Sequence, residues 1–447
     1  MKTNFGELSV GVDIGTTTIS MVVFDIENKK SLEIHSVPHH SYVCTDSYSE
    51  QDVFVILNQT ESLLKRLIKK YPRIVSIGIT GQMHGIVYVN SRGEPISNLI
   101  NWQDKRADQE LENGKNGCQL IEDMTGQKIS TGYGMATHFC NLRNHAVPNA
   151  AVGFCSVMDL FAMRICGLWK AITHTSVAAS FGLFDVKEKC FMNEKLSLLG
   201  INEAFLPEVT EQSKIIGSYH GIPVSVAIGD NQASVLGAVR ENASDILVNI
   251  GTGSQVSVVS DCFVCSEETE VRPFVEGKYL VCGSALCGGF AYSMLESFFR
   301  SFTESCGIDG VSIYEILNTL AERAYEGGED ELEVDVSFCG KRNDPFCRGS
   351  IKNIGRHNFT PSALSLGVLR GMCNELYTLY LALPKGKSRI VASGGAVRKV
   401  KILKILLEER FGMPVSVNAV EEEAAVGAAL FSALALGKIK YDDGFRY

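Results

Sequence analysis

A basic excess, a long apolar run and a low-complexity tract are all missing from this 447-residue chain, and each absence removes a class of protein. Lys and Arg together number 42 against 51 Asp and Glu, a formal charge of −9. Nucleic-acid phosphates are held mainly by clustered cations, so this balance points to small solutes instead. The segment from Met1 to Val12 has no basic stretch leading into an apolar run, which argues against a secretory signal. Ala424 to Gly437, the longest weakly polar stretch, is too short to span a bilayer and predicts a buried helix. Tryptophan is scarce, at two residues, which makes the placement of each one informative.

Cysteine is not scarce. Fourteen are scattered over the whole length, as buried thiols in a reducing compartment are, which places the protein in the cytoplasm. Cys262 and Cys265 form a C-x-x-C, with Cys282 and Cys287 following, but the irregular second spacing fits buried thiols better than a zinc site.

The length suits two domains of roughly 200 residues. Strand signals at Ser9 to Ile14 and Thr18 to Asp25 flank a Gly-Thr turn. Apolar periodicity predicts a helix from Gln51 to Tyr71, stopped by Pro72, and a buried strand follows at Ile74 to Thr80. Further elements are a helix over Asp159 to Gly167 and a strand over Val224 to Ile228 that runs into Gly229-Asp230 and a helix. Then the opening pattern recurs: strand Ile246 to Ile250, turn Gly251-Thr252-Gly253, strand Gln255 to Val259. Thr360-Pro361 reads as the start of a helix, and Arg389 to Ser393 is a strand that meets Gly394-Gly395, with a helix from there through Arg410. The chain looks like a duplication into two α/β domains, 1–240 and 241–447.

A Gly-Thr turn between strands presents successive N–H groups and hydroxyls, a concave donor set suited to phosphate oxygens. Gly15, Thr16 and Thr17 form one such set and Gly251, Thr252 and Gly253 the other. An ordinary hairpin would look like either turn alone; the repetition favours phosphate. Asp13, ending an apolar strand, calls for a cationic partner, and Mg²⁺ carried by the phosphates fits directly or through water. Asp230, at a strand-to-helix corner, is either that helix's N-cap or a base for phosphoryl transfer to a hydroxyl.

Gln82, Met83 and His84 lie between glycines after a buried strand, and Gln and His read hydroxyls by donating and accepting. Trp102, Gln103 and Asp104 add an indole, an amide and a carboxylate, a combination that suits a carbohydrate and also occurs at charged helix starts. Gly394 and Gly395 let backbone approach a flat ligand such as adenosine.

These pieces in this order resemble the FGGY carbohydrate kinases over nearly the whole chain. The phosphate motifs of that family match Asp13 to Thr17 and Gly251 to Gly253. Its catalytic G-D matches Gly229-Asp230, its adenosine motif Ser393 to Ala396, and its E-Q-D segment Glu50 to Asp52. The resemblance implies two duplicated ribonuclease H-like, actin-like ATPase domains with a cleft between them. The N-terminal domain would hold the sugar and the catalytic Asp230, with Asn231 beside it, and the C-terminal domain the nucleotide. Asn101-Trp102-Gln103-Asp104, Thr131 to Thr137 and Ile228 to Val235 are similar to the sedoheptulokinase branch, while Gly81 to Gly85 is shared with xylulokinases. The implied reaction is transfer from ATP, with Mg²⁺, to the primary hydroxyl of a ketose, giving sedoheptulose 7-phosphate. A xylulokinase or another ketose or polyol kinase is the alternative. A non-catalytic sugar-responsive protein or chaperone-like ATPase is the alternative of another class. Implied partners are a sugar and ATP, with no nucleic acid or membrane, and a homodimer is compatible. The basic stretch Ala396 to Leu403 departs from the family signature and leaves nucleotide preference open.

Overall fold

The structure is a computed structural model that describes residues 6–43, 48–239, 244–328, 332–341, 344, 346–418 and 420–441. The chain packs as two units. One comprises Met1–Arg240, Arg272–Tyr279 and Val420–Tyr447; the other comprises Glu241–Val271 and Leu280–Ala419. The boundary expected at 240/241 lies outside the described residues. The expected division also put everything after 240 in the second domain, whereas residues 272–279 and the C-terminal segment pack with the first unit.

In the first unit a six-stranded sheet runs Ile215–Tyr219, Ile222–Ser225, Ile74–Gly81, Leu8–Ile14, Thr18–Asp25, Lys30–Pro38. Leu8–Ile14 pairs antiparallel with Thr18–Asp25 and parallel with Ile74–Gly81. The helix Val53–Lys70 begins where Asp52 accepts from the amides of Phe54 and Val55, and ends in Lys69 and Lys70, which complement its C-terminal dipole.

The helix Glu423–Ala435 lies against the centre of this sheet through glycines. A Cβ on Gly11 would come within 1.7 Å of the Ala425 carbonyl oxygen, and one on Gly78 within 1.8 Å of the Ala428 carbonyl oxygen. Gly427 approaches the Ala233 carbonyl just as closely, so the helix Asp230–Ala238 is clamped to the same element. Hydroxyls of Ser9, Ser76 and Ser432 bond one another at 2.8–3.0 Å inside this contact, which satisfies polar atoms that would otherwise be costly to bury.

The second unit repeats the plan. The other six-stranded sheet runs Glu270–Pro273, Tyr279–Ala285, Ser254–Ser260, Asp245–Ile250, Arg389–Ser393, Val415–Val417. Asp245–Ile250 pairs antiparallel with Ser254–Ser260 and parallel with Arg389–Ser393, as Leu8–Ile14 does with its two neighbours. Thr360 caps the helix Pro361–Leu381 by accepting from the amide of Ala363. The duplication inferred from the recurring strand, Gly-Thr turn and strand is thus a duplication of topology.

Some local expectations are corrected. The strand before Asp230 is Ile222–Ser225, and residues 226–229 are buried but outside the ladder. The helix expected through Arg410 is two helices, Gly395–Lys399 and Ile402–Phe411. Cys282 and Cys287 are buried as expected, but Cys262 and Cys265 are exposed. Among the described residues no helix is long and apolar enough to cross a membrane.

Candidate active site

The turn Gly15 to Thr17 is held by its carbonyls. His39 Nε2 and Gln82 Nε2 bond the Gly15 carbonyl at 3.0 and 3.4 Å, Gln51 Nε2 donates to the Thr16 carbonyl at 2.8 Å, and the His39 amide donates to the Thr17 carbonyl at 3.0 Å. In a trans peptide the C=O and the next N–H point opposite ways, so the amides of Thr16, Thr17 and Thr18 face away from these donors. The second unit uses the same device with backbone only. The Gly251 carbonyl accepts from Gly289 at 2.8 Å, and the Thr252 carbonyl from Gly288 and Phe290, each at 3.0 Å. The amides of Thr252 and Gly253 are thereby turned outward. Each turn offers donors without net charge, as phosphate oxygens require.

Beyond the parallel partner strand of each turn lies a second glycine site. In the second unit Gly394 has φ 96°, and a Cβ there would meet the Ile250 carbonyl oxygen at 2.4 Å. Gly395 has nothing within 4 Å of its Cβ position, so the start of the helix Gly395–Lys399 is open. Ser393 is fixed from the adjacent strand by the side-chain amide of Asn249 at 2.9 Å.

In the first unit the counterpart of Gly394 is Gly81, whose Cβ would meet the Ile14 carbonyl oxygen at 2.4 Å, and Gln82 follows it. Gln82 is 4% exposed, and its Nε2 also donates to Gln51 Oε1 at 2.9 Å. Its own Oε1 has no hydrogen-bond partner among the described residues. Met83 is buried, and its sulfur lies 3.0 Å from where a Gly229 Cβ would be. His84 takes φ 71°, bonds the Ser180 carbonyl through Nδ1 at 2.7 Å, and stacks on Tyr133 at 4.4 Å. Trp102 is 46% exposed and donates its indole N–H to Thr16 Oγ1 at 3.0 Å. Gln103 is exposed and accepts from the Tyr42 hydroxyl at 2.7 Å.

Asp104 departs from the expectation of a sugar-binding carboxylate. It is 1% exposed, and its two oxygens take four donors, from the Ser49 amide and from the Arg106 amide, Nε and Nη2. A carboxylate has about four acceptor positions, so the side chain is saturated. It braces the segment that carries Trp102.

Asp230 is the first residue of the helix Asp230–Ala238, and Gly229, not Asp230, stands at the N-cap. Asp230 Oδ1 accepts from the amide and side-chain nitrogen of Asn231 at 2.6 and 3.2 Å. Desolvation raises its pKa to about 6, against the opposing pull of Arg272 and the Asn231 bonds. Asp13 is raised to about 7, first by desolvation and then by the charges of Asp230 and Glu422. Glu422 stands in the left-handed region, φ 56°, just before the helix Glu423–Ala435.

The sequence marks Gln51 only through the E-Q-D segment and singles out neither Glu422 nor His39. Gln51 and His39 reach the turn by long-range folding. No group of three or more His, Cys, Asp or Glu with metal-holding geometry occurs among the described residues. Mg²⁺ commonly uses one or two carboxylates together with phosphate oxygens and waters, so the desolvated Asp13, with the charges of Asp230 and Glu422 nearby, fits that ion.

The same fold occurs in solved sugar kinases. The structure of a xylulose kinase from Rhodospirillum rubrum matches at a TM-score of 0.83 and 20% identity, covering 98% of this chain and 91% of that one. Residues 8–237 match the profile of the FGGY family of carbohydrate kinases, N-terminal domain, and the chain belongs to that family. It is 24% identical to the sedoheptulokinase of Homo sapiens, over 95% of this chain and 96% of that protein. It is also 24% identical to the xylulose kinase of Staphylococcus xylosus, over 95% and 90%. The protein is an ATP-dependent sugar kinase.

Proposed function

We propose that the protein phosphorylates the primary hydroxyl of a ketose, with sedoheptulose as substrate and sedoheptulose 7-phosphate as product. The observation that carries the chemistry is Asp230: a desolvated carboxyl at a helix start, with Oδ1 occupied by Asn231, whose raised pKa suits a general base near neutrality. Asp230 takes the proton of the acceptor hydroxyl as its oxygen bonds to the γ-phosphorus of ATP and the bond to the β-phosphate oxygen breaks. Thr16, Thr17, Thr252 and Gly253 offer their amides to phosphate oxygens, and Gly394 and Gly395 receive adenosine. Asp13 would hold Mg²⁺, which when bound would supply neutralisation of phosphate charge. Trp102 presents an apolar ring and Gln82, Gln103, His84 and Asn231 polar atoms to the sugar, with Met83 packing beneath.

Support for sedoheptulose over other sugars comes from Asn101 to Asp104 and Thr131 to Thr137, which resemble that branch, and from similarity to the human enzyme along nearly the whole chain. The free thiols among the described cysteines accord with a cytoplasmic location. A panel of sedoheptulose, xylulose, gluconate and glycerol in a coupled ADP assay tests the reading. The highest kcat/KM is expected for sedoheptulose; a tenfold preference for xylulose would overturn the substrate assignment.

A further inference from the structure

A chain of buried hydrogen bonds runs from the second strand of a small parallel pair to the peptide just before Asp230. Ile172–His174 pairs in parallel with Glu208–Thr210, and His174 forms the last rung, opposite Thr210, fully buried. His174 Nε2 lies 3.2 Å from the Glu211 carbonyl, an obligatory acceptor, so Nε2 carries the proton. Nδ1 is then the acceptor, and it receives both the Ser176 amide at 3.2 Å and the Ser176 hydroxyl at 2.8 Å. With its proton committed to Nδ1, the Ser176 oxygen is free to accept, and the Gly229 amide donates to it at 3.0 Å.

The corner around Gly229 is locked on its other sides as well. The Ile228 amide bonds the Ile79 carbonyl at 3.0 Å, and the Ile228 carbonyl accepts from Thr80 Oγ1 at 2.7 Å. The Gly229 carbonyl receives the Ala233 amide at 2.8 Å. Among these bonds, the one from the Gly229 N–H goes to a side chain outside the sheet and the helix. Without the Ser176 oxygen, that N–H is buried and unsatisfied, at a cost the corner relieves by tilting the peptide that precedes Asp230. Small displacements of a catalytic group reduce rate strongly without abolishing binding.

We propose that His174 and Ser176 are positioning residues: the imidazole fixes the hydroxyl, the hydroxyl fixes the Gly229 amide, and the amide sets where the Asp230 carboxylate stands. The inference rests on Asp230 as the base. Among the described residues both side chains bond only to protein groups of this network, and neither is among the residues assigned to sugar or nucleotide, so their effect is expected on kcat.

The test is steady-state kinetics with the full chain, the best sugar of the panel and ATP. Ser176→Ala is expected to lower kcat about 10- to 100-fold, with the KM of sugar and of ATP changed less than threefold. Ser176→Cys, similar in size but a weaker acceptor, is expected to lie between native and Ala, and Ser176→Thr, which keeps the hydroxyl, to recover most of the rate. Circular dichroism and a thermal melt establish that each variant is folded; should the Ala variant not fold, the order native, Thr, Cys carries the same reading. A kcat for Ser176→Ala within twofold of native overturns the proposal, as does a Thr variant no faster than Cys. Asp230→Ala separates the two levels: if it turns over near normally, the assignment of the base fails, whereas an inactive Asp230→Ala beside an unaffected Ser176→Ala sinks only the positioning role.

Discussion

The indole of Trp102 and the hydroxyl of Thr16 are hydrogen-bonded at 3.0 Å, so the aromatic residue assigned to the sugar is tied to the turn assigned to phosphate. Removing the indole N–H alone separates these two functions. Trp102→Phe keeps an aromatic face and is expected to raise the KM for ATP about threefold to tenfold, with a smaller change for sugar, as loss of one modest hydrogen bond implies. Trp102→Ala is expected to raise both. Initial rates over a two-dimensional grid of sugar and ATP check it; equal behaviour of the two variants would count against the link.

The raised carboxyl of Asp230 gives a pH dependence of definite sign. A base must be deprotonated to act, so kcat/KM for the sugar is expected to fall on the acid side with an apparent pKa near 6. Glu422→Gln removes one of the charges that raise Asp13, so Asp13 is expected to titrate lower. Profiles from pH 5 to 9 for both proteins decide it; an acid limb centred near 4 in the native enzyme would contradict the desolvated base.

Stability has its own pH signature at Asp159, buried among Ser156 and Thr173 with its pKa raised from 3.8 to about 7 by desolvation. A folded-state pKa above the unfolded one means the contribution is fully present below pH 3.8 and is lost as pH rises through about 7. At ~1.4 kcal/mol per pH unit of displacement, the charged form costs a few kcal/mol. Asp159→Asn keeps the acceptor for the Ser156 hydroxyl, which lies 2.8 Å from Oδ2, and cannot ionise. Its denaturant midpoint is expected to exceed native at pH 8 and to match it at pH 4.

Gly78 and Gly327 make a matched pair. Gly78→Ala forces a Cβ to 1.8 Å from a carbonyl oxygen of the helix Glu423–Ala435, and is expected to destabilise by about 3 kcal/mol or more. A Cβ on Gly327, in the last turn of the helix Ile313–Gly327, would meet nothing within 4 Å among the described residues, so Gly327→Ala is expected to gain up to about 1 kcal/mol from helix propensity. Chemical denaturation of both reads the difference.

Local chemistry was legible where it is written in neighbouring residues. Thr360 ahead of Pro361 announced a helix start, and strand, Gly-Thr turn and strand announced both halves of the duplication. Asp230 was assigned two roles, and the structure removes the capping one because Gly229 takes that place. What stayed hidden depends on distant partners. Asp104 looked free until Arg106 and Ser49 filled it. The E-Q-D resemblance marked Gln51 without saying what it holds, and its contact with the turn at residues 15–17, like that of His39, comes only with folding. Nothing near Gly11 or Gly78 reveals that a helix some 350 to 420 positions later needs their missing side chains.

That helix also sets the order of synthesis against the order of assembly. Residues up to Arg240 leave the ribosome first, but the element that covers Gly11 and Gly78 begins about 180 residues later. At ~5–20 residues per second, a nascent chain spends roughly 10–40 s with an apolar sheet face open. Chaperone demand during translation is therefore expected to concentrate on the N-terminal half, and release should coincide with completion of the last helix.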